Sequence, residues 1–238
     1  YKYSPSRNGQ VAADVIADYR GYIQTDGYKG YDFLSKLDGV TSVGCWAHSR
    51  RKFVDITKIQ GKPVSSSKQT NAEKALKYIQ KLYRIEHEYG RMELSVEEFQ
   101  QKRCAAAQPV LKDFKKFLDE LADRTPPKGA LGKAVSYTLG QWERLEAYLE
   151  QGYISPDNNR AENAIRPFVL GRKNWLFSGN EKGAEASARL FSLIETAKAN
   201  DIEPYTYLRY LFDRLPYAKT SDEYKNLLPQ YLDKNALV

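Results

Sequence analysis

Hydrophobic positions change their spacing along this chain, and the changes divide it into segments. Tyr1–Tyr3 reads as a short strand, stopped by the turn-forming run Ser4-Pro5-Ser6-Arg7-Asn8-Gly9. Val11, Val15, Ile16 and Tyr19 then recur at helical spacing, which predicts a helix over 10–19. Tyr22–Asp26 is a brief strand closed by Gly27, and Tyr31–Leu37 a short helix. Val40–Ala47 follows as a second strand, with bulky Val40, Val43, Cys45 and Trp46 after the Asp38-Gly39 turn. Strand and helix alternating over short connections predict a parallel α/β layer arrangement.

From about residue 54 the period becomes helical and stays so. After a polar loop at 61–71 come four helical patterns, 72–89, 95–104, 109–122 and 131–149, the second opening on the capping-box pattern Ser95-x-x-Glu98. Residues 55–151 therefore read as an all-α block inside an α/β sequence. Beyond Gly152, Asp157-Asn158-Asn159 can cap a helix over 160–166, which Pro167 ends or kinks. Phe168–Phe177 reads as extended, Gly179 and Gly183 flank a loop, and helices follow over 184–199 and 205–215, with Pro204 at the start of the second. The expected organisation is 1–54 as the first part of a core, 55–151 as a helical insertion, 152–200 as the second part of the core and 201–238 as a helical tail. The segments before 54 and after 152 are expected to share one core, because neither has enough strands to cover both faces of a sheet.

Composition narrows the class. With 238 residues, 42% of them hydrophobic and 18 tyrosines, the chain can bury a core and is not a disordered polymer. Two cysteines, Cys45 and Cys104, exclude a disulfide framework and fit a reducing cytoplasm. Apolar runs fall far short of the roughly 20 residues a bilayer requires, and no signal peptide opens the sequence. A start without Met, in a sequence with one methionine, reads as a piece of a longer protein. The net charge of +7 points to a polyanionic partner.

Four groups of residues could carry chemistry. Asp26 ends a short apolar strand before a glycine, where α/β sheets present ligands; a turn-forming aspartate is the plain alternative. Glu162 lies in the first turn of a helix beside Asn158, Asn159, Arg160, Asn163 and Arg166; a helix-dipole role explains the glutamate but not the amides and arginines around it. Cys45-x-x-His48 offers two zinc ligands where zinc wants three or four, so Cys45 reads as a packed thiol and no zinc is expected. The neighbouring Arg50, Arg51 and Lys52 make a basic cluster. Gly171-Arg172-Lys173-Asn174-Trp175-Leu176-Phe177-Ser178-Gly179 sets cations, an amide and an aromatic between glycines, which suits phosphate contact and base stacking, or else a hairpin with exposed cations.

Taken together, QTDGYKGY, CWAHSRRKF, DNNRAENAIRP and GRKNWLFSG, followed by SLIETAKANDIEPYTYLRYLF, resemble the transposases of insertion-sequence family sixty-six over about residues 1–216. The resemblance implies an Asp-Asp-Glu transposase with a ribonuclease-H-like α/β core, incomplete at its N-terminal strands and interrupted by a large all-α insertion. Asp26 then resembles the second catalytic aspartate and Glu162 the catalytic glutamate, while the first aspartate belongs to a strand upstream of Tyr1. The implied reaction is phosphoryl transfer, DNA cleavage and strand transfer, with Mg²⁺ or Mn²⁺, two ions in the complete protein, held by the carboxylates Asp26 and Glu162. A fragment lacking one carboxylate is expected to be inactive alone. DNA is the expected partner, bound by a homo-oligomer on paired ends. Arg50, Arg51, Arg166, Arg172, Lys173 and Trp175 are expected to face it, and His48 and Asn159 to line the cleft. A catalytically inactive DNA-binding remnant or regulator, and a nuclease that cuts without joining, are the rival readings.

Overall fold

The computed structural model describes residues 1–6, 8–60, 69–176 and 178–234. Helix α1 (Gly9–Ile16) opens on Asn8, whose side chain accepts from the Gln10 amide. Strands β1 (Gly21–Gln24) and β2 (Val40–Val43) pair in parallel, Tyr22 opposite Thr41 and Gln24 opposite Val43, joined through a 3₁₀ segment over Lys29–Lys36. Helix α2 (Trp46–Gln60) begins two residues after β2. Helices α3 (Asn71–Tyr89), α4 (Val96–Arg124), α5 (Ala130–Gly140) and α6 (Trp142–Glu146) follow, then a 3₁₀ turn over Ala147–Glu150. The chain continues with α7 (Asn159–Trp175), α8 (Glu181–Ala199), α9 (Pro204–Arg214) and α10 (Ser221–Asn226).

The helix starts follow the local chemistry. Thr70 and Glu73 close a capping box at α3, and Ser95 and Glu98 close the expected one at α4. Two prolines behave otherwise than expected. α4 runs unbroken through Pro109, joining the two helices expected at 95–104 and 109–122. Pro109 and Ala105 both lie on the exposed side, so the carbonyl that loses its amide partner faces water. The buried face of Ala107, Leu111, Phe114, Leu118 and Leu121 carries the helix across the break. α7 likewise continues through Pro167 to Trp175.

The expected ribonuclease-H-like α/β core is not what forms. Among the described residues there are two strands only, both four residues long, and helices dominate. Residues 1–3 pair with no strand; the Tyr1 ring instead packs on Phe168 and Phe191. The segment read as extended from Phe168 is helical up to Trp175, because Phe168, Gly171 and Trp175 stand at i, i+3 and i+7 on one face; Phe177 lies outside the described residues. The strand expected up to Ala47 stops at Val43. Trp46, Ser49, Phe53 and Ile56 are buried at helical spacing, so CWAHSRRKF belongs mostly to α2. Most of the polar loop expected at 61–71 and the last four residues fall outside the described residues.

The chain divides into two compact units, Asn8–Asn159 and a second made of Tyr1–Arg7 with Arg160–Val238. In the first, one apolar cluster runs from the sheet into the helices: Val43, Trp46, Phe53, Ile79, Leu82, Phe114, Leu118, Val135, Trp142 and Tyr148. Trp46 lies against Phe114 and Trp142, and its indole N–H donates to the Leu145 carbonyl at 2.9 Å. The division expected at 54/55 thus falls inside α2. In the second unit, Ala197, Ile202, Tyr207, Leu211 and Leu227 pack together across the division expected at 200/201, and the Tyr207 hydroxyl donates to the Leu227 carbonyl at 3.0 Å.

Candidate active site and nucleic-acid interface

Asp26 stands just past the C-terminal end of β1. The ladder extends one residue further, Thr25 N–H donating to the Val43 carbonyl at 2.9 Å, and Gly27 then turns the chain at φ +76°. Asp26 is half-buried, and its Oδ1 accepts from the Tyr28 amide at 2.9 Å, the turn geometry of a short acidic side chain. The backbone carbonyl of Asp26 accepts from the Tyr137 hydroxyl of α5 at 2.9 Å. A Cβ on Gly27 would come within 3.0 Å of that hydroxyl and 3.3 Å of Gln141, so the helical segment presses directly on the turn. Lys52 lies over the Tyr137 ring at 4.3 Å. Burial pushes the Tyr137 pKa up to about 12; the negative charge of Asp26 acts in the same direction and Arg51 opposes it.

Around the start of α2, chain segments distant in sequence meet. Trp46 N–H donates to the Pro156 carbonyl at 3.0 Å, and the Gln24 side chain donates to the carbonyls of Gly44 and Ser155. Cys45 is buried. Burial raises its thiol pKa, against the lowering effect of backbone N–H groups of Asn158, His48 and Ala47. Its side chain is packed inside the unit. His48 sits half-buried in the first turn of α2, not at a strand end as expected. Both oxygens of Asp157 accept a hydrogen bond: Oδ2 from the Tyr83 hydroxyl at 2.7 Å and Oδ1 from the Asn159 backbone amide at 3.1 Å. Burial first, then this hydrogen bond and the Asp157 charge, hold the Tyr83 hydroxyl protonated well above the usual tyrosine range.

Arg50 and Arg51 are exposed on the outer side of α2, where with Lys58, Gln80, Tyr83, Asp157 and Asn159 they line a groove of about 790 Å³. Tyr83, Tyr137, Lys58 and Gln80 were not singled out in the sequence, and Asp157 only as a helix cap. They sit inside regular helical patterns or a turn, where nothing local distinguishes them.

Glu162 lies in the first turn of α7, half-buried. The continuity of α7 through Pro167 puts Glu162, Arg166 and Lys173 on one stripe, at i, i+4 and i+11. Arg166, Arg172 and Lys173 are exposed. Trp175 packs edgewise against Phe168, with centroids 6.1 Å apart, and tilted against Phe191 at 5.6 Å; 38% of its surface stays open. Asp26 and Glu162 lie in different compact units. Among the described residues no group of three or more His, Cys, Asp or Glu side chains is gathered to hold a metal ion, and no helix is long and apolar enough to cross a membrane.

One unit thus carries a strand-end carboxylate and a basic groove, and the other a helix-borne glutamate in line with cations. Comparison with known proteins gives the class. Residues 1–186 match the transposase IS66 family and residues 192–230 match the IS66 C-terminal element, so the chain belongs to the IS66 transposase family. Its relatives include the uncharacterized proteins y4jD and y4qI of Sinorhizobium fredii (strain NBRC 101917 / NGR234). The first is 34% identical over 236 residues, covering 96% of this chain and 44% of that protein. The second is 31% identical over 245 residues, covering 100% of this chain and 44% of that protein. The chain thus spans less than half the length of these relatives. No solved structure matches it.

Proposed function

We propose that this chain is the part of a DNA transposase that carries Asp26 and Glu162 as essential carboxylates for metal-dependent phosphoryl transfer, cutting DNA and joining strands. The observation that carries the reading is the Asp26 turn. Its backbone is held from one side by the Thr25–Val43 ladder bond and from the other by Tyr137, while the carboxylate remains partly open to solvent. Such a fixed strand-end carboxylate suits a group that must meet a phosphodiester in one orientation.

The side chains present fit a hard cation better than a soft one. The buried Cys45 thiol is held protonated, whereas Asp26 and Glu162 offer oxygen donors. Mg²⁺ takes only one or two protein carboxylates, the rest of its shell coming from water and phosphate, so the lack of a three-residue group among the described residues does not exclude it. Asp26 and Glu162 would each hold Mg²⁺ or Mn²⁺. When bound, the ion lowers the charge on the phosphodiester oxygens and on the attacking oxygen. The chain's own contribution is to fix Asp26, to line Arg166 and Lys173 beside Glu162, and to present Arg50, Arg51 and Arg172 to phosphates. Trp175 offers the open part of its ring to a base.

A strand-transfer assay with the protein that contains this chain, on its element ends in Mg²⁺, tests the reading. Asp26→Asn and Glu162→Gln should each lower joining by at least about a hundredfold with the melting temperature unchanged. Joining at wild-type rate in either variant refutes the role of that residue. Cleavage without joining in the wild type would favour a nuclease, and DNA binding without either reaction an inactive regulator.

A further inference from the structure

The groove on the first unit has a composition that the proposed active-site residues do not explain. One wall is a stripe of α2, Ala47, Arg50, Arg51, Val54, Asp55 and Lys58, at i, i+3, i+4, i+7, i+8 and i+11. The other is a stripe of α3, Leu76, Gln80 and Tyr83, at i, i+4 and i+7. Asp157 and Asn159 close one end. The arrangement is layered. Half-buried Val54, Leu76 and Tyr83 make the floor, while exposed Arg50, Arg51, Lys58, Gln80 and Asn159 stand along the rim.

We infer that this groove binds a single strand of DNA, phosphates along the α2 rim and unpaired bases toward the floor. The inference rests on the DNA-processing reading above only for the choice of polymer. Three points favour a single strand over a duplex. α2 and α3 pack directly against each other, at the roughly 8–10 Å between axes usual for packed helices, so the floor between their rims is narrow and fits one row of bases. The floor is apolar and aromatic, which suits the faces of bases that are not stacked in a duplex. The amides of Gln80 and Asn159 match the exposed hydrogen-bonding edges of unpaired bases.

The charges agree. Arg50 and Lys58 are eight residues apart, about 12 Å along the helix, and with Arg51 place three cations on one rim. Of the two acids in the groove, Asp157 already accepts one hydrogen bond on each oxygen, from the Tyr83 hydroxyl and the Asn159 backbone amide, which spread part of its charge. Asp55 is exposed among the cations, where their charge offsets its own. The volume, about 790 Å³, lies within the range of ligand clefts, roughly 300–1,000 Å³. Lys52, the residue after Arg51 on α2, lies over the ring of Tyr137, whose hydroxyl donates to the Asp26 carbonyl, so the helix that forms this wall also reaches the strand-end carboxylate.

Fluorescence anisotropy of this chain with a labelled oligo-dT strand, and with a duplex of equal length, tests the inference across a salt titration. Arg50→Ala/Lys58→Ala removes two rim cations. Lys112→Ala/Lys116→Ala removes two exposed cations from α4, outside the groove. The groove double variant should bind the single strand roughly tenfold more weakly, with the slope of log affinity against log salt reduced by about 1.4, two phosphates at 0.7 each. The α4 double variant should change the single-strand slope by much less. Equal losses in both variants, an unchanged slope in the groove variant, or no single-strand binding by the wild type would overturn the inference. So would an equal loss of duplex and single-strand binding in the groove variant. None of these outcomes bears on strand transfer by Asp26, so the groove and the proposed activity stand or fall separately.

Discussion

Arg103 carries the sharpest stability prediction. Its guanidinium is fully buried in the first unit. Nη1 donates to the Ile154 carbonyl at 2.8 Å, and Nη2 to the carbonyls of Tyr148, at 2.7 Å, and Gln151. Glu86 Oε2 lies 3.4 Å from Nη1, and the guanidinium carbon is 5.0 Å from the Phe99 ring centroid and 5.1 Å from that of Tyr148. One side chain of α4 therefore holds the turn from Tyr148 to Ile154, which leads to Asp157. Arg103→Met keeps most of the volume but leaves three carbonyls without that donor and Glu86 without its cation. Removing one partner of a buried ionic pair costs about 3–5 kcal/mol. At about 2–4 °C per kcal/mol for 150–250 residues, that is a melting temperature lower by about 6–20 °C. The loss should depend on pH. Burial raises the Glu86 pKa while Arg103 lowers it, so without Arg103 the pKa rises further. A carboxyl with a raised folded pKa binds more protons folded than unfolded. Its stabilising contribution is present in full below the unfolded pKa and is lost as pH rises through the folded one. The deficit of the variant should accordingly be smaller at pH 5 than at pH 8, and Glu86→Gln added to Arg103→Met should remove that pH dependence. It should not restore full stability, because the three carbonyls stay unmatched. Urea titrations followed by tryptophan fluorescence measure all three quantities. A cost below about 1 kcal/mol, or a deficit that grows toward acid pH, would refute the account.

Other consequences follow from single contacts. Tyr137→Phe keeps the ring under Lys52 but removes the hydroxyl from the Asp26 carbonyl; it should cost about 0.5–1.5 kcal/mol in a melt and raise the Mg²⁺ concentration needed for half-maximal strand transfer. Tyr83→Phe breaks the hydrogen bond to the Asp157 carboxylate and should cost about 1.5–3 kcal/mol, with a double-mutant cycle against Asp157→Asn showing strong non-additivity. Gly171→Ala puts a Cβ about 2.5 Å from the Trp175 ring, so despite alanine's better helix propensity it should destabilise α7 and its packing by about 1–3 kcal/mol and shift the Trp175 emission.

The parts of the structure that were legible in the sequence are those fixed within a few residues. The capping box at Ser95 and the Pro204 start of α9 each rest on contacts three or four residues long. The failures have a common cause. Pro109 and Pro167 read as breaks because the cost of a proline is local, whereas what carries each helix across it is packing against distant residues. Cys45-Trp46 read as strand because bulk looks the same in both periods over so short a run; the burial of Trp46, Ser49 and Phe53 decides for helix, and that burial is supplied by Phe114 and Trp142. The α/β core was inferred from family resemblance and a few alternating segments, and two four-residue strands are all that form among the described residues. In the site, Asp26, Arg50, Arg51 and Asn159 could be picked out from their neighbours. Tyr137 and Tyr83 could not, since their partners lie 111 and 74 residues away.

Those two tyrosines change the role of the helical block. Read along the sequence, it interrupts a core. In the structure, α5 sends Tyr137 to the backbone of Asp26, α3 sends Tyr83 to Asp157, α4 sends Arg103 to the turn before it, and Phe114 and Trp142 enclose Trp46 at the head of α2. A two-stranded sheet has too little surface to hold its own strand ends in place, since even an isolated hairpin is marginal in water. The rigidity of the Asp26 turn must therefore come from the helices. Loosening α5 against the sheet should move Asp26 before it melts the unit, so activity should respond to helix-face substitutions that leave the denaturation midpoint almost unchanged.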